Sequence, residues 1–412
     1  MNPAVQRYPF SSSGLALVLG LFACSDGDDP DPPGEGETSC LEVSGRLSGD
    51  SPLEWTNLNE APDVADVCVI GEVAIGGVGL SGYVTVEPGT RVVFEAGASL
   101  RVLNGSAITA RGTAEEPIVF AGEEALPGYW DGVQVESNDA RNVFEHVVVR
   151  DAGAGETGGD DILGFPTPAA LSLNAEAGQD PSATLNDLTL TSNSGWGLVI
   201  EGANSRLRGG ARLTITDNER GAVLARPENA HVIDETSVFS GNGFDGIELA
   251  GGFPPVQLDE PISLAPLTYR VREEIGFLSA LTIEPGATLI FQDGTNLAFG
   301  QTLDDTGPRF TAAGTADAPV TFTGETRTAG AWDGLVIQSG RPGNLIENAV
   351  VEFAEVGISL DKDGAFPPAA LEVRSTVVRD CSVCGIRNDS PDNTLVVSDM
   401  TYADNTDDEC LP

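Results

Sequence analysis

Apolar residues recur in the chain as short i, i+2 pairs. Val84/Val86, Val92/Phe94, Leu100/Val102, Ile108/Ala110 and Ile118/Phe120 follow one another at steps of eight, eight, eight and ten residues. Alternation of this kind belongs to short strands with one face buried. Pro-Gly, Asn-Gly and Gly-Thr stand between the pairs, and these are turn signals. Three strand-and-turn units of eight residues close a coil of about 24. That period is visible at Gly197, Gly221 and Gly246, which are 24 and 25 residues apart. Asn193, Asn218 and Asn242 precede these glycines by three or four positions. Asparagines stacked at one turn can hydrogen-bond along the stack. The pattern therefore predicts an all-β fold, a right-handed parallel β-helix solenoid whose coils touch only their neighbours.

The pattern is written twice. V-T-V-E-P-G-T-R-V-V-F from Val84 returns as L-T-I-E-P-G-A-T-L-I-F from Leu281, and A-R-G-T-A-E-E-P-I-V-F from Ala110 returns as A-A-G-T-A-D-A-P-V-T-F from Ala312. The offset is 197 at Glu87/Glu284 and 202 at Trp130/Trp332, which places an insertion near Gly300–Pro308. The chain is thus internally duplicated, and no linker composition separates the copies. The expected organisation is a first half with an N-terminal cap over 40–252 and a second half over 253–412, stacked as one solenoid.

The segment before residue 40 carries no such pattern. Arg7 and the apolar run Leu15–Ala23 read as a signal peptide, too short to span a bilayer. Leu21, Phe22, Ala23 and Cys24 resemble a lipobox, which makes residues 1–23 a lipoprotein signal and Cys24 the lipidated first residue. Residues 24–39 are acidic, rich in Pro and Gly, and read as a disordered tether. Export implies an oxidising compartment. Cys40 and Cys68 flank the first coil and are expected to pair. Cys410 has Cys381 or Cys384 as its partner. C-S-V-C-G-I aligns with N-S-G-W-G-L from Asn193, so Cys381 falls on the asparagine position as a buried free thiol, which makes Cys384 and Cys410 candidate disulfide residues while the pairing stays open.

Charge removes some partners and suggests others. The net charge is −42, and Lys362 is the only lysine among 21 basic residues. Nucleic acid is not expected as a partner, and anionic lipid is a poor one. The membrane enters through the lipid anchor, and a glycan or a protein at the cell surface is the remaining class. Trp130–Asp131 and Trp332–Asp333 occur in matched W-D-G motifs and are candidate glycan-binding pairs, ring for stacking and carboxylate for hydroxyls. The acidic stretches before two P-A-A-L motifs, at Pro168 and Pro368, offer Asp160, Asp161, Asp361 and Asp363 as candidate metal ligands, with Ca²⁺ as the candidate cofactor. A solvated loop is the competing explanation of the same acids. A lyase needs a base and cations to neutralise a uronate. The nearest constellation is His146, Arg150 and Asp151, echoed by Arg379 and Asp380 in V-V-R-D, and an Arg-Asp pair at a strand end is ordinarily a turn salt bridge. No catalytic residue is assigned.

L-T-I-E-P-G, A-x-G-T-A-x-x-P, W-D-G-L-V-I and N-x-x-x-G-I together resemble the repeats of bacterial extracellular lipoproteins with right-handed parallel β-helix domains, in the pectate-lyase-like group. The resemblance covers about residues 80–400. It implies a lipid-anchored protein of the outer membrane or cell surface that displays a β-helix as a binding or structural surface. The alternative it leaves open is a polysaccharide lyase or glycan hydrolase, because fold alone does not assign an activity.

Overall fold

The computed structural model describes residues 40–412 apart from 60, 62, 156–166, 175–179, 201–204, 252–254, 301–307 and 362–366. Cys24 and its flanks therefore lie outside the described residues, as do Asp160, Asp161 and Asp363. No described helix is long and apolar enough to cross a membrane.

The chain winds as a parallel β-helix with three strand-bearing faces. In the first half, Arg91–Phe94 and Ile118–Gly122 stand on the first face, Ser99–Val102 and Gly132–Val135 on the second, and Tyr83–Val86 and Ala107–Arg111 on the third. Every strand-to-strand ladder is parallel, as a coil of one hand requires. Leu41–Leu47 and Val67–Ile75 run unbroken round a corner and pair on two faces at once, which joins the first and second faces into one sheet. The i, i+2 residues point inward as expected: Val86, Phe94, Val102, Phe120, Ile283, Phe291, Phe299 and Phe322 are all buried. They belong to one continuous core that runs from Val43 to Ile386.

Two corners turn within a single residue. The described non-glycine residues with left-handed backbone form two sets, His146, Asp187, Arg212, Asn348, Ser375 and Asp399 in one, and Asp151, Ser192, Asp217, Phe353, Asp380 and Asp404 in the other. Each member of the second set follows its partner by five residues. A short strand, such as Val147–Arg150 or Val377–Arg379, lies between them. Left-handed backbone costs an L-residue roughly 1–2 kcal/mol, and short polar side chains reduce this by bonding locally. That is why Asp, Asn and Ser fill most of these sites.

The two halves share one ladder. Ile247–Leu249, the last second-face strand of the first half, pairs with Thr268–Val271, which pairs with Thr288–Phe291. The sequence counterpart of Thr288–Phe291 is Arg91–Phe94, a first-face strand. The second copy is therefore turned by one face about the solenoid axis. Ion pairs fasten this joint. Glu248 is fully buried although it points outward, with Arg270 Nη1 at 2.9 Å and Arg272 Nε at 2.6 Å. Arg270 also lies over the Phe244 ring, 3.9 Å from its centroid.

Both ends carry a disulfide. Cys40–Cys68 ties the first strand to the next coil, and Cys384–Cys410 ties the last coil to the one before it. Cys381 is a buried free thiol, and burial pushes its pKa up to about 11. The asparagine ladder forms as expected. Asn193 Nδ2 donates to Asn218 Oδ1 at 2.7 Å, and Asn218 Nδ2 to Asn242 Oδ1 at 2.8 Å. Asn405 extends the motif in the last coil by accepting from the Cys381 N–H at 3.1 Å.

Candidate functional site

The W-D-G corners are core, not binding surface. Trp130 and Trp332 are fully buried. Trp130 stacks on Phe94 at 3.8 Å and Trp332 on Phe291 at 4.0 Å. Each indole N–H donates at 2.9 Å to a carbonyl one coil away, that of Arg150 or Glu352. No ring face is left for a sugar, so the pairing of Trp130 with Asp131 and of Trp332 with Asp333 as glycan platforms is corrected. A tryptophan at the end of a strand caps the phenylalanine row from inside. Asp131 is half-buried, and burial pushes its carboxyl above the usual range, whereas Asp333 is exposed. The one-face turn between the halves also puts the two corners on different edges of the solenoid.

The two acidic stretches are not equivalent either. Ala169–Leu173, opened by Pro168, stands on Gly132–Val135. The strand in that place in the second half is Val356–Leu360, which stands on Gly334–Ile337. Ala370–Arg374, which follows Pro368, stands instead on Leu345–Glu347, the counterpart of Val143–Glu145. The repeated P-A-A-L thus opens strands of different type; of the four acidic candidates only Asp361 lies among the described residues. Among the described residues no three His, Cys, Asp or Glu side chains converge as a metal site.

The Arg-Asp constellations are corner salt bridges. His146 and Arg150 stand at opposite ends of the first-face strand Val147–Arg150. His146 Nε2 lies 3.8 Å from Asp187, and Arg150 lies 3.1 Å from Asp151. Arg379 Nε lies 3.9 Å from Asp380 and donates to Glu352 at 2.8 Å. Asp151 and Asp380 are left-handed corner residues, which is the reason an aspartate ends each motif.

One other cluster joins acid, base and cation, and it escaped sequence reading. The segment after Gly221–Ala225 forms a single helical turn, Pro227–Ala230, in place of a third-face strand. Pro at the first helical position is preorganised for that turn. Asn229 anchors it by donating to the Ser205 carbonyl and accepting from the Leu207 N–H. Around it, Arg226 Nε approaches Glu228 Oε2 at 3.8 Å, and His231 Nε2 approaches Glu260 Oε1 at 3.9 Å. Ser205 Oγ, Arg226 Nε, Glu228 Oε2 and His231 Nδ1 are buried without a hydrogen-bond partner. Burial holds the His231 pKa down, so the ring is neutral near pH 7 and able to accept a proton. The only signal in the sequence is R-P-E-N, a helix-start pattern inside a strand repeat.

A dimple lined by Pro255, Phe277, Leu278 and Ala298 has room for about one water molecule and is too small for a sugar ring. Comparison of the chain with known protein families, with curated proteins and with solved structures returned no match.

Proposed function

We propose that the chain is an envelope lipoprotein, anchored through Cys24, whose β-helix is a rigid acidic rod that presents a binding or structural surface to glycan or protein at the cell surface. The observation that carries this reading is the unbroken second-face ladder. It passes from Leu41–Leu47 through thirteen successive parallel pairings to Thr401–Ala403. At a strand spacing of about 4.8 Å this spans roughly 60 Å. The first coil follows directly on the acidic tether in sequence, and a disulfide lies at each end of the rod. A surface rich in acid with few cations supports solubility and the rejection of anionic partners.

The test is fractionation of an expressing Gram-negative host that carries an epitope tag after Pro412. Wild type is expected in the membrane fraction with the tag reachable on intact cells. Cys24→Ala is expected to leave that fraction, because acyl chains supply the anchoring. Equal partition of both proteins overturns the lipoprotein reading.

A second reading, elimination or hydrolysis on an extracellular glycan, has one observation in its favour: the corner that brings neutral His231 beside Glu260, Glu228 and Arg226. Loss of product formation in His231→Ala, with the melting curve unchanged, would select it.

A further inference from the structure

The exposed large aliphatic residues are gathered at the ends of the rod. Leu41, Leu58, Ile70, Val78 and Leu80 lie in the first two coils, and among the described residues between 81 and 382 only Leu126 and Val238 are comparably exposed. Aliphatic side chains exposed singly are normal, whereas a gathering at one place marks an interaction surface. The register shows where these five stand. Leu41 is on the edge strand and pairs with Val67. Ile70 pairs with Ser44 and precedes the left-handed Gly71, at the corner from the first face to the second. Leu58 lies where the third face gives way to the first, and its N–H donates to Asp66 at 2.8 Å. Val78 and Leu80 lie between the strands Val67–Ile75 and Tyr83–Val86, at the corner from the second face to the third. Each of the three corners at this end therefore carries an exposed aliphatic side chain.

The corner at Val78 has two further features. Val78 is 98% exposed at the tip of a closed turn. The Gly77 N–H donates to the Leu80 carbonyl at 2.9 Å, the Leu80 N–H donates to that of Gly77 at 3.1 Å, and left-handed Gly79 completes the turn. Turn positions ordinarily go to Gly, Pro, Asn, Asp or Ser, and here hydrogen bonds hold a valine out into solvent. A cation stands beside it. The Arg46 guanidinium lies 2.9 Å from where a Cβ on Gly77 would stand. Arg46 forms no ion pair among the described residues, in a chain with 63 acidic and 21 basic residues. A basic side chain next to protruding aliphatic ones suits a lipid interface, where the cation meets headgroups and the apolar groups reach the acyl boundary.

We propose that the N-terminal end of the β-helix seats on a zwitterionic lipid surface, with the aliphatic corners at the headgroup–acyl boundary and Arg46 at the phosphates. This inference rests on the lipoprotein reading, which puts the bilayer on that side. Cys24 precedes Cys40 by 40 − 24 = 16 residues, so the tether reaches at most roughly 55 Å. Interfacial groups sink about 5–10 Å into the boundary. Two coils at about 4.8 Å each cover that depth, and the five residues are confined to two coils. Exposed Glu42, Glu54 and Glu72 repel anionic lipid, which selects a zwitterionic headgroup. The far end exposes valines as well, but no Lys or Arg follows Arg387, and acids fill its last strand, Asp407–Cys410.

The experiment uses the full lipidated chain in phosphatidylcholine vesicles, with an environment-sensitive fluorophore on one introduced cysteine. The reporter variants are Val78→Cys and Leu58→Cys at the near end, with Val238→Cys and Val396→Cys as controls along the rod. All four positions are exposed, so folding is expected to be unchanged, which circular dichroism checks. On vesicles, quenching by acrylamide is expected to fall several-fold at 78 and 58 and to stay at its solution level at 238 and 396. Adding Val78→Asp to Leu58→Cys is expected to restore quenching at 58. Equal quenching at all four positions on vesicles overturns the seat while leaving the anchor intact. Shielding at 78 without vesicles, rising with protein concentration, assigns the end to a second copy and overturns it too. A chain that floats with vesicles no better than Cys24→Ala removes the lipoprotein reading and this inference with it.

Discussion

At the scale of single residues, this molecule is organised by what can turn a corner. Ser375 is exposed and left-handed at φ 49°. Glycine takes that conformation without the steric cost, and a β-branched residue takes it worst. Ser375→Gly is therefore expected to raise stability by about 0.5–1 kcal/mol, and Ser375→Val to lower it by more, as denaturant midpoints will show. Asp151 is a corner residue of another kind, 2% exposed, with burial holding its carboxyl above the ordinary 3.8 despite Arg150 beside it. A raised folded value means that the native state binds the proton more tightly than the unfolded chain. Stability then falls as pH climbs from 3.8 through the folded value, and the penalty is complete above it. Asp151→Asn keeps the left-handed tolerance and removes this penalty. The variant should melt higher than wild type at pH 7, with the gap closing below pH 4.

Elements here are too short to hold themselves, with strands of three to five residues in most coils. Their stability comes from rows that run across coils. Asn218 shows the row at its tightest, since it is fully buried, accepts from Asn193, and donates to Asn242 Oδ1 and the Leu190 carbonyl. Asn218→Ala strands these partners at about 1–3 kcal/mol for each buried group left unsatisfied. The expected loss should appear in thermal melts and exceed that of an exposed asparagine such as Asn138. The period and the asparagine row were legible because each coil repeats them. A second corner motif, built on Asn142 and Asn229 in the first half and on Asn344 and Asn393 in the second, was not, since insertions of unequal length scatter its members along the chain. The helical turn at Pro227 was hidden for the same reason. One coil departs from a pattern that its neighbours keep.

For the whole molecule, the joint and the ends decide cooperativity. Arg270 on the first shared strand of the second half faces the fully buried Glu248 of the first. Arg270→Ala leaves that carboxylate short of a partner and is expected to cost about 3–5 kcal/mol, read as a lower denaturant midpoint for the whole rod. The last strands, Thr394–Ser398, Thr401–Ala403 and Asp407–Cys410, each have a partner on one side only. Replacing Cys384 and Cys410 with serine should cost about 3 kcal/mol by chain entropy. Because coils touch only neighbours, the loss should open the last coil and spare the middle. Hydrogen exchange should speed at Cys384–Asn388 and stay slow at Ile118–Gly122.

The sequence by itself determined the coil, its inward rows and the duplication, and the structure decided which cysteines pair. The coil and its rows depend on alternation and on spacings repeated within a few tens of residues, and the duplication on whole motifs that return. Only the tertiary structure decided that the tryptophans face inward, because a ring at a strand end can cap a core row or cover a surface with the same local pattern. Only the fold showed that the second half is turned by one face. The number of strands in the connector sets that turn, and the copies read alike whichever face they land on.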